Sequence, residues 1–137
     1  MRFEKLKNDI LGKQYSLSIA YVSKKKIREI NKKYRKKNKA TNVLSFALGK
    51  NEGELVLCKD VIKNEVKDKT KNFDKTFEEW LGFLVIHGML HLKGMTHGSI
   101  MEKAEKRYDQ KYFYRNRRGI LDDKGRGGRV SKRRKKS

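Results

Sequence analysis

Acidic residues, cysteine, proline and long apolar runs are all scarce or absent in this chain of 137 residues. Only 16 Asp or Glu stand against 37 Lys or Arg, a formal net charge of +21. In so short a chain that charge creates a field that recruits polyanions, nucleic acid first among them. A single cysteine, Cys58, excludes an internal disulfide and fits a reducing compartment. Its default role is that of a small buried apolar residue. No stretch approaches the roughly 20 apolar residues of a membrane span, and Met1-Arg-Phe-Glu-Lys5 carries no apolar signal-peptide core. A cytoplasmic protein without membrane contact is therefore expected. Proline is absent and no internal repeat appears. The length allows one domain with a modest core and leaves little room for a second.

The charge is uneven. Residues 115–137 hold eleven Lys or Arg and two Asp, a net +9, and residues 1–114 supply the remaining +12. The run from Gly125 to Lys136 has almost no apolar content, so residues 119–137 are expected to be a disordered basic tail making non-specific phosphate contacts with RNA. Residues 1–118 are then the single domain. A merely solubilising tail is the plainer alternative.

Histidine is also sparse, but it is concentrated. His87, His91 and His97 are the three histidines of the chain, and all fall within His87-Gly-Met-Leu-His91-Leu-Lys-Gly94-Met-Thr-His97. Two histidines four apart on a helix share one face, with Cβ atoms roughly 5–6 Å apart, so both imidazoles reach one ion. Gly94 can then end the helix in a left-handed conformation and return His97 toward the same ion. A lone histidine would be better read as a core or surface residue; three at ligand spacing point to metal. Metzincin proteases share this spacing but place a glutamate base after the first histidine, where this chain has Gly88. The metal site survives that comparison and the protease chemistry does not.

Tyr15, Leu17, Ile19 and Tyr21 alternate with small residues, the period of a half-buried strand. Ser23 can cap a Lys-rich helix with Ile27, Ile30 and Tyr34 on its narrow apolar stripe, ending near Lys37. Residues 43–48 and 54–58 read as a hairpin across a glycine-containing turn, and Val61, Ile62 and Val66 as a further helix leaving through a polar loop at 67–72. Thr76 with Glu79 forms a capping-box pattern that opens the motif helix over 77–93, apolar on nearly every side. Ser99 with Glu102 repeats that pattern before a last helix packed through Met101, Ala104, Tyr108 and Tyr112. The order predicts an α+β fold: a small mixed β-sheet covered by helices, with a central buried helix carrying the HxxxHxxxxxH metal motif.

At this level of detail the chain resembles a known family. The motif from His87 to His97 is similar to the signature of the YbeY family of metal-dependent endoribonucleases, and Asn31-Lys-Lys-Tyr34-Arg35 with Thr41-Asn42-Val43-Leu44-Ser45-Phe46 resembles that family's other characteristic segment. Gly53-Glu54-Leu55-Val56-Leu57 resembles its next strand. The likeness spans residues 15–113. It departs at Thr96, where the family usually has aspartate.

The resemblance implies a zinc-dependent, single-strand-specific endoribonuclease acting in ribosomal RNA (16S rRNA) maturation and ribosome quality control, in contact with the small ribosomal subunit. It implies one Zn2+ on His87, His91 and His97, or another divalent ion in its place, and a catalytic phosphate-binding role for Arg35. Ser45 and Asn42 would line the cleft. The residues suit that chemistry in their own right: three neutral imidazoles leave the ion its full charge, and an open fourth position can activate water. Tyr34, Phe46 and Trp80 read as core. A different class of protein, an RNA-binding ribosome-assembly factor with a closed structural zinc, would need Cys58 as fourth ligand.

Overall fold

The computed structural model describes residues 2–68, 70 and 74–114. The expected domain boundary at 118 and the basic tail 119–137 lie outside the described residues. The elements run α1 (Glu4–Ile10), β1 (Ser16–Tyr21), α2 (Lys24–Arg35), β2 (Val43–Gly49), β3 (Glu52–Leu57), α3 (Lys59–Lys67), α4 (Phe77–Leu92) and α5 (Ser99–Asp109), with a π-helical turn over Gln110–Tyr114. The expected α+β architecture is present, with one element more than the pattern foretold. Helix α1 is short and its N-cap, Phe3, makes no side-chain cap bond. It is held by burial of Phe3, Leu6 and Ile10 at helical spacing.

The sheet has the order β1-β3-β2. Strand β1 pairs parallel to β3, with Ile19 opposite Leu55, and β2 pairs antiparallel to β3, with Ser45 opposite Leu55. Because β3 is central and covered on both faces, Leu55, Val56 and Leu57 are buried consecutively. Side chains alternate across it: Leu55 and Leu57 join the large core under α4, whereas Val56 joins Leu44, Ile27 and Cys58 on the face that carries α2. Among the described residues, strand β2 is an edge, paired on one side only.

Helix α4 is the innermost element. The capping box at its start is complete: Thr76 Oγ1 accepts from the Glu79 amide at 3.1 Å, and the Thr76 amide donates to Glu79 Oε1 at 2.9 Å. Leu81, Val85, Ile86, Met89 and Leu90 are fully buried. At Gly82 a Cβ would lie 2.6 Å from the Phe113 ring, so the absence of a side chain there lets the π-helical turn seat Phe113 on α4. Helix α2 starts as expected, with Ser23 Oγ accepting from the Lys26 amide at 3.1 Å.

Two expectations are corrected. Helix α5 is capped by Gly98, with Ser99 as its first helical residue and no side-chain cap bond, so the second capping-box pattern is not used. Tyr34 is not core: it lies in the last turn of α2 with 56% of its surface exposed, on the flank of Phe46. No helix of the described residues is long and apolar enough to cross a membrane.

Candidate active site

The site forms where the end of α4 meets β2. Helix α4 can lie this close to the sheet because of Gly88: a Cβ there would fall 2.7 Å from Leu55 Cδ2 and 3.1 Å from Ser45 Oγ. The glycine after the first histidine, which removes the metzincin base, is thus a packing requirement. Ser45 Oγ donates to the Gly88 carbonyl at 3.2 Å, tying β2 to the helix one residue from His87.

The turn that returns His97 is a Schellman motif. The Gly94 amide donates to the His91 carbonyl and the Met95 amide to the Leu90 carbonyl, both at 3.0 Å, with Gly94 at φ 106°. The turn gathers the three imidazoles, whose candidate ligand nitrogens all lie within 4.8 Å of one another. Among the described residues this is the group of His, Cys, Asp or Glu side chains that is arranged to hold a metal ion.

The second nitrogen of each helical imidazole is already engaged. His91 Nδ1 lies 3.1 Å from the Met95 carbonyl, an acceptor only, so it carries the proton and Nε2 keeps its lone pair. His87 Nδ1 lies 2.5 Å from Glu105 Oε2, and a carboxylate oxygen likewise accepts a hydrogen bond from Nδ1–H, which leaves the lone pair on Nε2. The two Nε2 atoms then face each other at 3.2 Å with lone pairs turned inward. That arrangement is repulsive without a cation. A tetrahedral zinc with Zn–N bonds of about 2.0–2.1 Å sets its ligand nitrogens about 3.3–3.4 Å apart. His87 and His91 are therefore preset at ligand separation, and the exposed His97 completes the group from the loop. Burial holds the His91 imidazole below its ordinary value, and the neighbouring His87 lowers it further against the opposing pull of the Met95 carbonyl. The neutral, metal-binding form is the favoured one.

A cleft of about 440 Å³ opens beside these histidines, lined by His87, His91, Ser45, Ala47, Leu92 and Arg35. Arg35 reaches it from the end of α2, where Nη2 donates to the Ser45 carbonyl at 2.7 Å and the guanidinium lies over the Phe46 ring at 4.6 Å. Ser45 is in the cleft as expected. Asn42 turns instead to Glu65, donating to its carboxylate at 3.1 and 3.2 Å, and Trp80 Nε1 donates to the same carboxylate at 2.9 Å. Cys58 is fully buried in the α2-side core and outside the histidine group. Glu105 was not anticipated. Its signal was present, a carboxylate within the stripe of Met101, Ala104 and Tyr108, where an unpartnered charge would be costly.

A family model described as endoribonuclease YbeY matches residues 2–116. The chain belongs to the endoribonuclease YbeY family, and so to the nucleases. The endoribonuclease YbeY of Staphylococcus carnosus is 36% identical over 134 residues, covering 89% of this chain and 77% of that protein. That of Staphylococcus aureus strain JH9 is 37% identical over 103 residues, covering 65% of this chain and 64% of that protein. The fold matches the solution structure of the Thermotoga maritima protein TM1509 with a TM-score of 0.56 at 28% identity, covering 93% of this chain and 91% of that one. The YbeY family membership agrees with the residues that the cleft brings together, because RNA is a polyanion and the cleft combines a metal-binding group with an arginine.

Proposed function

We propose that this chain is a zinc-dependent, single-strand-specific endoribonuclease acting in 16S rRNA maturation and small-subunit quality control. His87, His91 and His97 are its metal ligands and Arg35 its phosphate-binding catalytic residue. The observation that carries the reading is the pair of inward-facing Nε2 atoms, 3.2 Å apart, in a cleft shared with Arg35. Bound there, a divalent ion would supply a Lewis-acidic centre that activates water at neutral pH and draws phosphate oxygens.

The chain's own groups prepare the rest. Glu105 and the Met95 carbonyl fix the tautomers and ring orientations of His87 and His91. Arg35 spends one Nη on Ser45 and stacks on Phe46, which holds its plane while leaving other N–H groups for a phosphate. A guanidinium held this way offsets charge that develops on the phosphate during cleavage. The family's usual carboxylate before the last histidine is replaced by the exposed Thr96, so the charge near His97 is one unit less negative. Residues 1–118 form the catalytic unit in this reading, and the tail 119–137 adds phosphate contacts.

Metal analysis of the purified protein, joined to cleavage of a single-stranded RNA with and without chelator, tests the proposal. Wild type should carry about one zinc and lose cleavage on chelation, while His87→Ala, His91→Ala and His97→Ala each lose both. Arg35→Ala should keep its zinc and lose cleavage or RNA affinity. Stoichiometric zinc in all three histidine variants, or chelator-resistant cleavage, overturns it.

A further inference from the structure

On the opposite side of β2 from the histidines lies a second hollow, of about 590 Å³, lined by Tyr34, Phe46, Leu48, Lys26, Glu29 and Glu54. Its volume is within the roughly 300–1,000 Å³ of small-molecule sites. It owes its position to the alternation of the edge strand. Ser45 and Ala47 face the histidine cleft, and Phe46 and Leu48 face the hollow. Arg35 joins the two. It lines the cleft, and its guanidinium covers the ring of Phe46, which lines the hollow.

The hollow exposes apolar surface on a strongly basic helix. Tyr34 is 56% and Leu48 58% exposed, large fractions for such side chains, and Tyr34 meets Phe46 edge to face at 5.7 Å and 72°. Helix α2 carries seven Lys or Arg against one Glu, and Lys33 Nζ lies 5.2 Å from the centre of the Tyr34 ring. Aromatic rings interleaved with cations along a basic surface are how proteins hold single-stranded nucleic acid, bases stacking on rings while cations follow the backbone. The two carboxylates sharpen the assignment. Glu29 and Glu54 in the lining suit the amino edge of a base, whereas Lys26 and Lys33 in the same lining, with Arg35 over the Phe46 ring, offer phosphate contacts.

We propose that Tyr34, with Phe46 and Leu48, forms a stacking subsite for one unpaired nucleobase of an RNA strand whose adjacent phosphate lies at Arg35. This rests on the nuclease reading and adds to it a physical source of preference for single strands, since a base already stacked in a duplex cannot enter. Tyr34 here is a substrate-binding residue that takes no part in the chemistry.

The test uses the full chain, kept metal-free with chelator so that RNA is bound without being cut. Binding of a fluorescein-labelled single-stranded oligoribonucleotide is followed by anisotropy across a salt series, with inorganic polyphosphate as a base-free polyanion and a duplex of the same sequence. Tyr34→Ala should raise the Kd for the single strand about tenfold, as loss of a base stack does. Its salt slope, polyphosphate affinity and duplex affinity should stay unchanged, and Tyr34→Phe should bind within about twofold of wild type. An unchanged Kd in Tyr34→Ala overturns the subsite and leaves the patch as a protein-docking face. Equal losses toward RNA and polyphosphate also overturn it, because Tyr34 would then act only by placing Lys33. Wild type restored with zinc is the control. If it neither binds nor cuts the RNA, the nuclease reading fails; if it cuts while Tyr34→Ala binds normally, only the subsite fails.

Discussion

Glu105 Oε2 lies 2.5 Å from His87 Nδ1, joining α5 to α4 at the first histidine of the motif. The carboxylate orients the ring and fixes its tautomer, as carboxylate partners of metal-bound histidines do. Glu105→Gln retains a hydrogen-bonding group without the charge, and Glu105→Ala removes both. We expect zinc affinity, measured by competition with a chromophoric chelator, to fall about 10–100-fold in Glu105→Ala and less in Glu105→Gln. Equal affinity in wild type and both variants would show that the pair only packs α5.

Gly88→Ala should separate α4 from the sheet. Its Cβ would stand 2.7 Å from Leu55 Cδ2 on the central strand, and Leu55 is fully buried among the core residues. Overpacking of this kind costs about 1–3 kcal/mol, and here the shift also moves His87 relative to Ser45 and Arg35. A lower Tm together with weaker zinc binding is the expected result. An alanine variant with wild-type Tm would mean that the helix yields freely.

The lowered pKa of His91 gives the metal-free protein a pH dependence of definite sign. A histidine whose folded pKa is below its unfolded value of 6.5 binds more protons when unfolded, so its contribution is fully present above 6.5. That contribution is lost as pH falls through the depressed folded value. Chelated wild type should therefore lose Tm on acidification below pH 6.5, and His91→Gln should show a smaller loss over the same range. Parallel curves would remove His91 as a source of the acid sensitivity.

Removing residues 119–137 should flatten the salt dependence of RNA binding while leaving zinc content unchanged. Each phosphate neutralised on a single strand contributes a slope of about −0.7 in log K against log salt. The truncated protein should bind more weakly at low salt and about equally at high salt. An identical slope would assign all the RNA attraction to the basic surface of the domain.

Short-range patterns were the legible part of this chain. Ser23, the Thr76–Glu79 box, the Gly94 stop and the histidine spacing each act within a few residues, so their outcome is written where they stand. What escaped depends on distant partners. Helix α1 has seven residues and no side-chain cap, so its burial against the core decides it. Glu105 gains its meaning only when α5 folds back onto α4, and the hydroxyl of Ser99 lost the cap position to Gly98, a choice made by the loop that carries His97. Tyr34 matched the apolar stripe of α2 but sits in its last turn on the flank of Phe46 from the edge strand and stays exposed, whereas Ile27 packs with Val56 of the central strand and is buried.

The contact between Arg35 and the Ser45 carbonyl also protects the rim of the sheet. Among the described residues strand β2 pairs on one side only, and its outward amides and carbonyls form the kind of template on which a second chain can add itself as a further strand. Arg35 occupies the outward carbonyl at the middle of that strand and sets a fixed positive charge beside it. An incoming strand must displace a charge-assisted bond before it can pair, so the arginine that lines the histidine cleft also discourages self-association along the edge.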